Sequence, residues 1–282
     1  MLDKEKKLKV LTLCSWYPND LNPTLGNFVQ KHADTIALQN RAVSLAIFPS
    51  TIDTSVRLVH TTRKGLDEII VYYPKQERGF VLLRKVKNFF SHRRAFKSGY
   101  NKVLELMGKP DVVHLNIVYP LGIWALWLKW RFKIPYVITE NSSGFHVDTE
   151  HAYPGPILRL CRIVLRNASV LMPVSKNLKK SLQKLSRTNS FEIICNVVDE
   201  NLFKAPIKES ASKSRFIHIS TGIDSIKNLS GMIRVINGLS ISNPDVHLDI
   251  VSDGDIEYAK VLHEELGNGK CVDFHSTKTP SE

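Results

Sequence analysis

The chain has 282 residues, of which 43% are hydrophobic and 23% charged. Those proportions belong to a globular protein long enough for two domains and exclude a disordered or collagen-like chain. Lys and Arg number 39 against 27 Asp and Glu, for a net charge of +12, and the four cysteines (Cys14, Cys161, Cys195, Cys271) stand far apart with no CxxC pair. That spacing predicts neither a disulfide framework nor a zinc site, so no metal is expected and a reducing compartment is.

The first apolar run, Leu8–Tyr17, is followed by Pro18-Asn19-Asp20 rather than by a small-residue cleavage site. It reads as a buried strand, not a signal peptide. Further short apolar runs follow at Val43–Phe48, Ile69–Tyr73, Val112–Leu115, Tyr136–Thr139, Val170–Pro173, Phe191–Ile194, Phe216–Ser220, Val246–Val251 and Val272–Phe274. Most lack polar alternation, as strands buried on both faces do. Helical patterns lie between many of them: Asn27–Gln39, Ile157–Leu165, Asn177–Leu185, Leu229–Leu239 and Ile256–Leu266. Strand–helix alternation predicts βαβ units and a parallel sheet. Ile117–Trp130 is the most apolar stretch, but it is shorter than the ~20 residues that a membrane span requires.

A polar stretch at Asn201–Ser214 reads as a linker, dividing the chain into domains 1–203 and 204–282. The first carries a net charge of +14 and the second −2, so the basic excess belongs to the first alone. The second offers only three strands and two helices, an incomplete doubly wound domain.

Five segments attract attention, each with a plain structural reading beside it. In the connection Cys14–Phe28, Gly26 stands at a helix start, where glycine lets a ligand approach backbone N–H groups; it is equally well a turn residue. His114 closes the strand Asp111-Val-Val-His and either reaches a ligand or packs at the core rim. Thr139–His146 gathers Glu140, Asn141 and His146 after a strand, suited to a sugar or phosphate, or to a capped polar loop. In Ile219–Gly231, Lys227 is placed to neutralise a phosphate at a helix N-terminus, or is simply solvated. Lys75–Lys109 carries ten basic residues against Glu77 and Glu105, with Val86, Phe89, Phe90, Phe96, Tyr100, Val103 and Leu104 at helical spacing. Three readings fit it: a core-packing helix with a solvated basic face, an anionic-membrane surface, or a nucleic-acid backbone tracker.

Taken in order, the segments resemble the family-4 retaining glycosyltransferases of the GT-B fold. Ser15-Trp16-Tyr17-Pro18 with Gly26-Asn27-Phe28-Val29 is similar to the family's opening strand and glycine loop. Asp111–His114 resembles its "DvvH" strand end, and Ile134–Glu140 its "iPyvvTEH" segment. Val174-Ser175 and Cys195–Phe203 are similar to "vS" and "pNgvd…F"; Lys227-Asn228 and Val251–Gly254 to the "KN/KG" turn and "vGdG" strand end. The resemblance implies an α/β, GT-B-like fold: a doubly wound, acceptor-side N-terminal domain and an incomplete Rossmann-like C-terminal domain that holds the nucleotide sugar. It implies transfer of a sugar from a nucleoside-diphosphate donor to a glycan or lipid-linked acceptor hydroxyl in polysaccharide biosynthesis, with no cofactor and no metal. Lys227, Asn228 and Gly254 would serve the donor, and Gly26, Asn27, His114, Ser175 and Asn196 the acceptor side or cleft. Glu140 and Asn141 would occupy the catalytic positions. The basic segment 75–109 would then suit an anionic membrane, placing the protein in the cytoplasm or on the inner membrane face, with no nucleic-acid partner expected.

Three departures stand out. Asn141 replaces the family's histidine, and Gly222 stands where an arginine is usual, five residues before Lys227. The acidic E-x7-E segment would lie beyond Glu282, which leads to the expectation of a truncated family member, with a non-catalytic binder of membrane or acceptor as the alternative.

Overall fold

In the computed structural model, which describes residues 7–146, 152–186, 190–200, 214–267 and 271–276, the chain divides into two units after Val198. The expected boundary at residues 203/204 lies outside the described residues. The strands of the first unit are β1 (Lys9–Cys14), β2 (Arg41–Ser50), β3 (Arg57–Arg63), β4 (Leu66–Pro74), β5 (Val112–Asn116), β6 (Tyr136–Glu140), β7 (Val170–Pro173) and β8 (Ser190–Phe191). They form one sheet in the order β3-β4-β2-β1-β5-β6-β7-β8, parallel throughout except for the β3–β4 pair. Its helices are α1 (Asn27–Gln39), α2 (Val81–Met107), α3 (Gly122–Phe132), α4 (Gly155–Asn167) and α5 (Lys176–Leu185).

Strand β2 shows why the apolar runs lack polar alternation. Val43, Leu45 and Ile47 join the core formed with α2, α3, α4 and α5, whereas Ala46 and Phe48 pack with Val29 of α1 on the opposite face. Both faces are covered, so both parities are apolar. The chain runs from β1 to β2 in one direction and from β4 back to β5 across β1 in the other. The order therefore reverses between β1 and β5, where open α/β sheets hold ligands at their strand C-termini.

Strand β3 has no counterpart among the expected runs. Its sequence, Arg57–Arg63, is largely polar because it lies at the sheet edge. The signal it does carry is the two-residue turn Lys64-Gly65, with φ of 49° and 80°, the conformation that suits a tight hairpin. The expected Phe191–Ile194 run forms only the short β8, Ser190–Phe191.

An ionic network fixes α1 against this hairpin. Arg63 is bidentate to Asp34 at 2.9 and 2.7 Å and reaches Glu68 Oε1 at 3.0 Å; Tyr17 Oη and Gln30 Nε2 also donate to that oxygen, at 2.5 and 2.9 Å. Burial raises the Glu68 pKa, but the donors from Arg63, Tyr17 and Gln30 outweigh it, and the net shift is downward.

The second unit holds β9 (Arg215–Ser220), β10 (His247–Ser252) and β11 (Val272–His275) in a parallel sheet of order β11-β10-β9, with α6 (Asp224–Lys227), α7 (Leu229–Ser242) and α8 (Glu257–Glu265). Its core joins Leu229, Ile233 and Ile236 of α7 to Leu248 and Ile250 of β10 and to Ile256 and Ala259 beside them. Among the described residues no helix is long and apolar enough to cross a membrane.

Replacing Arg63 by Ala leaves the buried Glu68 carboxylate without its cationic partner, and we expect a loss of about 2–3 kcal/mol in urea unfolding. Because the folded pKa of Glu68 lies below the unfolded one, its contribution is present above the unfolded value and fades as pH falls through the folded one. The wild-type advantage over Arg63→Ala should shrink on acidification across that window.

Candidate active site

The C-terminal ends of β1, β5 and β6 are cross-tied by two polar side chains. Ser15 Oγ donates to the Ile117 carbonyl at 2.7 Å and accepts from Leu121 N at 3.2 Å. Glu140, at the end of β6, is fully buried. Its Oε2 accepts from Val118 N at 2.8 Å, and its Oε1 from Asn141 N and Ser142 N at 2.9 and 2.7 Å. Burial pushes its pKa up to about 7 against the pull of those three N–H groups. Ile117, clamped between them, holds φ at 64°, a rare conformation for a β-branched residue, of the kind found at functional sites.

Gly26 occupies the start of α1 with φ 64°, and a Cβ there would stand 2.7 Å from the Trp16 carbonyl carbon. Only glycine satisfies both constraints, and through it α1 begins directly against the loop that carries Ser15. Asn27 is the first residue of α1 and is exposed.

One face of β5 and β6 carries a polar stripe. Paired residues of neighbouring strands share a face, so Thr12 with His114, and Cys14 with Asn116 and Thr139, point the same way. His114 is buried and shares a 2.7 Å hydrogen bond with Thr139 Oγ1. Burial, then the facing His32, pushes its pKa down to about 3. His32, on α1, donates from Nε2 to Asn196 Oδ1 at 3.3 Å. His32, which the sequence reading did not single out, thus hydrogen-bonds one expected residue, Asn196, and acts on another, His114, through its charge.

Asn116 was also passed over. It ends β5 at the point where the strand order reverses, it is 0% exposed, and neither its Oδ1 nor its Nδ2 has a hydrogen-bond partner among the described residues. A buried amide with both ends unsatisfied costs stability, and such groups call for a functional account. Its signal in the sequence was a polar residue closing the run Val-Val-His-Leu-Asn. The Nδ2 of Asn141 is likewise buried and unpartnered.

Ser175 lies just beyond β7 and caps α5, its hydroxyl accepting from Leu178 N at 3.1 Å. In the second unit, Lys227 ends α6 and is exposed, and Asn228, at φ 51°, opens α7. His218 has its pKa lowered by burial and then by the nearby Lys227 charge. Gly254 is pressed on the loop after β9: a Cβ there would meet the Thr221 carbonyl oxygen at 2.0 Å. Gly222 holds φ at 70°, and a Cβ there would meet Ile256 at 2.2 Å, so this backbone rejects an arginine at that position. His247, Asp249 and Asp273 place ligand atoms within 4.8 Å of one another, but Asp249 is already held by Arg215 at 2.6 and 2.9 Å and by His275 at 2.8 Å.

The sequence profile described as Glycosyltransferase Family 4 matches residues 52–202, more than half of the chain. The chain belongs to glycosyltransferase family 4. No curated protein matches this family-4 chain. Solved structures share its fold. The E. coli trehalose-6-phosphate structure bound with UDP-2-fluoro glucose is 11% identical with a TM-score of 0.61, over 96% of this chain and 74% of that one. An α,α-trehalose-phosphate synthase (UDP-forming) from Burkholderia xenovorans in complex with glucose-6-phosphate is 11% identical with a TM-score of 0.62, over 96% and 76%. The lipopolysaccharide outer core galactosyltransferase WaaB, in its apo form, is 13% identical with a TM-score of 0.54, over 96% and 69%. The larger, mainly parallel sheet and the smaller parallel one together are GT-B-like, as the resemblance implied.

With its folded pKa about 3 against an ordinary 6.5, His114 should stay neutral in the native state across neutral and mildly acidic pH. NMR of the imidazole nitrogens should show no titration of His114 between those values. The unfolded chain takes up a proton there first, so this site should subtract stability as pH falls from 6.5 toward 3.

Proposed function

We propose that the protein transfers a sugar from a nucleoside-diphosphate sugar to a hydroxyl of a glycan or lipid-linked acceptor, with retention, in polysaccharide biosynthesis. The first unit takes the acceptor and the second the donor. The observation that carries the reading is the unsatisfied Asn116 amide, fully buried at the β1–β5 switch point of a family-4 chain. A sugar hydroxyl both donates and accepts, and an amide presenting a free carbonyl and a free NH2 suits it.

The residues divide the work. Glu140 spends both carboxylate oxygens on backbone N–H groups and serves as a positioning residue for the loops on either side of it. Asn116 and Asn141 supply neutral hydrogen bonds to acceptor hydroxyls. As the bond from sugar to phosphate breaks, negative charge grows on the leaving diphosphate; the bond from the acceptor oxygen forms and its proton passes to that phosphate. Lys227 and the start of α7 offer a cation and N–H groups to the growing charge, stabilising the transition state more than the ground state. A second reading, a family member that binds donor or acceptor without turnover, draws on Gly222, whose backbone refuses the usual arginine.

Nucleotide release from a panel of nucleoside-diphosphate sugars, with glycan and lipid-linked acceptors, separates the two readings. Turnover with one donor supports transfer, whereas binding without release across the whole panel supports the second. Lys227→Ala should weaken donor binding by about tenfold or more in calorimetry, and an unchanged affinity removes Lys227 from the donor site. Asn116→Ala should leave the melting temperature unchanged or raised while kcat/KM falls at least about tenfold. A destabilised variant of full activity would instead assign Asn116 to the fold.

A further inference from the structure

Helix α2 shifts its apolar face by roughly 100° between its two halves. Its second half turns Ala95, Phe96, Gly99, Tyr100, Val103 and Met107 into the core. In its first turns the inward positions are polar. Arg84 Nη1 donates to the Glu77 carbonyl at 2.8 Å, and Asn88 clasps the Gln76 backbone, accepting from its N at 2.8 Å and donating to its O at 3.1 Å. The large apolar side chains here are left exposed to solvent. Phe80 is 76% exposed, Leu82 65%, Leu83 53%, Phe89 50% and Phe90 49%. At ~100° per residue, Leu82, Leu83, Val86, Phe89 and Phe90 share an arc of about 120°. Large apolar side chains gathered outward in this way mark an interaction surface.

The charge around that arc is of one sign. From Lys75 to Arg94 there are seven basic residues and one acidic residue, Glu77, which pairs with Lys75 at 2.8 Å. Lys85 and Lys87 flank the apolar arc, and Arg93 and Arg94 extend it, all four exposed. A nucleic-acid backbone would use the cations but gain nothing from a central band of Leu and Phe. A bilayer uses both, taking apolar side chains into the acyl boundary while lysine and arginine meet headgroup phosphates.

We propose that the face of α2 from Phe80 to Arg94 docks on an anionic lipid bilayer, with Leu82, Leu83, Phe89 and Phe90 entering the acyl boundary and Lys85, Lys87, Arg93 and Arg94 held at the phosphates. The inference stands apart from the transferase reading and its test needs no turnover.

The test is flotation of the full chain with vesicles of phosphatidylcholine alone, or of phosphatidylcholine with about one third phosphatidylglycerol. The chain should float with the anionic vesicles, less so at high salt, and stay behind with the neutral ones. The triple variant Leu82→Ser/Phe89→Ser/Phe90→Ser, and separately Arg93→Glu/Arg94→Glu, should each lower the partition at least about tenfold with the circular dichroism spectrum unchanged. Wild-type chain that ignores anionic vesicles overturns the proposal, as does equal binding to both vesicle types. So does salt-sensitive DNA binding, or self-association lost in the triple variant, when either occurs without vesicle binding.

Discussion

The buried carboxylate of Glu140 is the constraint around which the first unit is organised. A carboxylate taken out of water is costly unless its lone pairs are met. Here three backbone N–H groups meet them, one from the chain after β5 and two from the chain after β6. The loops must adopt the conformation that delivers those donors, and Ile117 accepts a left-handed backbone in doing so. Ser15 adds the same kind of tie from β1. Three strand ends become one frame, and the unsatisfied Asn116 is mounted in it.

The two faces of the larger sheet serve different ends. One is a continuous apolar core under α2, α3, α4 and α5. The other is covered by α1 over β1 and β2, while His114, Asn116 and Thr139 form a polar stripe along β5 and β6. The Arg63–Asp34–Glu68 network keeps α1 in place over this second face. The main apolar core is thus concentrated on one side and the buried polar groups on the other.

Most of the sheet was legible in the sequence because strands buried on both faces write themselves as short apolar runs. β3 was not, because an edge strand satisfies its outer side with water and can be polar throughout. The turn at Lys64-Gly65 was its only mark. Within the site, Gly26 was legible as a glycine at a helix start, although the contact that demands it, with Trp16, is set by the fold. Glu140 drew attention as a polar group after a strand. Nothing in its neighbours shows that its carboxylate would take the N–H of Val118, 22 residues away. Asn116 escaped notice for the converse reason: lack of a partner is a property of the folded surroundings, not of the residue. Gly222 was read as a missing arginine, and the structure adds that its backbone and Ile256 leave no room for one.

The length of α2 has a mechanical consequence. Its 27 residues form a rod of about 40 Å. One end is set in the core, where Gly99 lies against Leu45 and Val71 of the sheet, and the other projects its apolar side chains outward. A rod anchored in this way cannot swivel independently of the strands beneath it. Whatever grips the projecting end therefore dictates the tilt of the whole first unit, and with it the direction in which the C-terminal ends of β1, β5 and β6 face. A first unit held in this way would move over a surface in two dimensions at a constant attitude, rather than tumble in three.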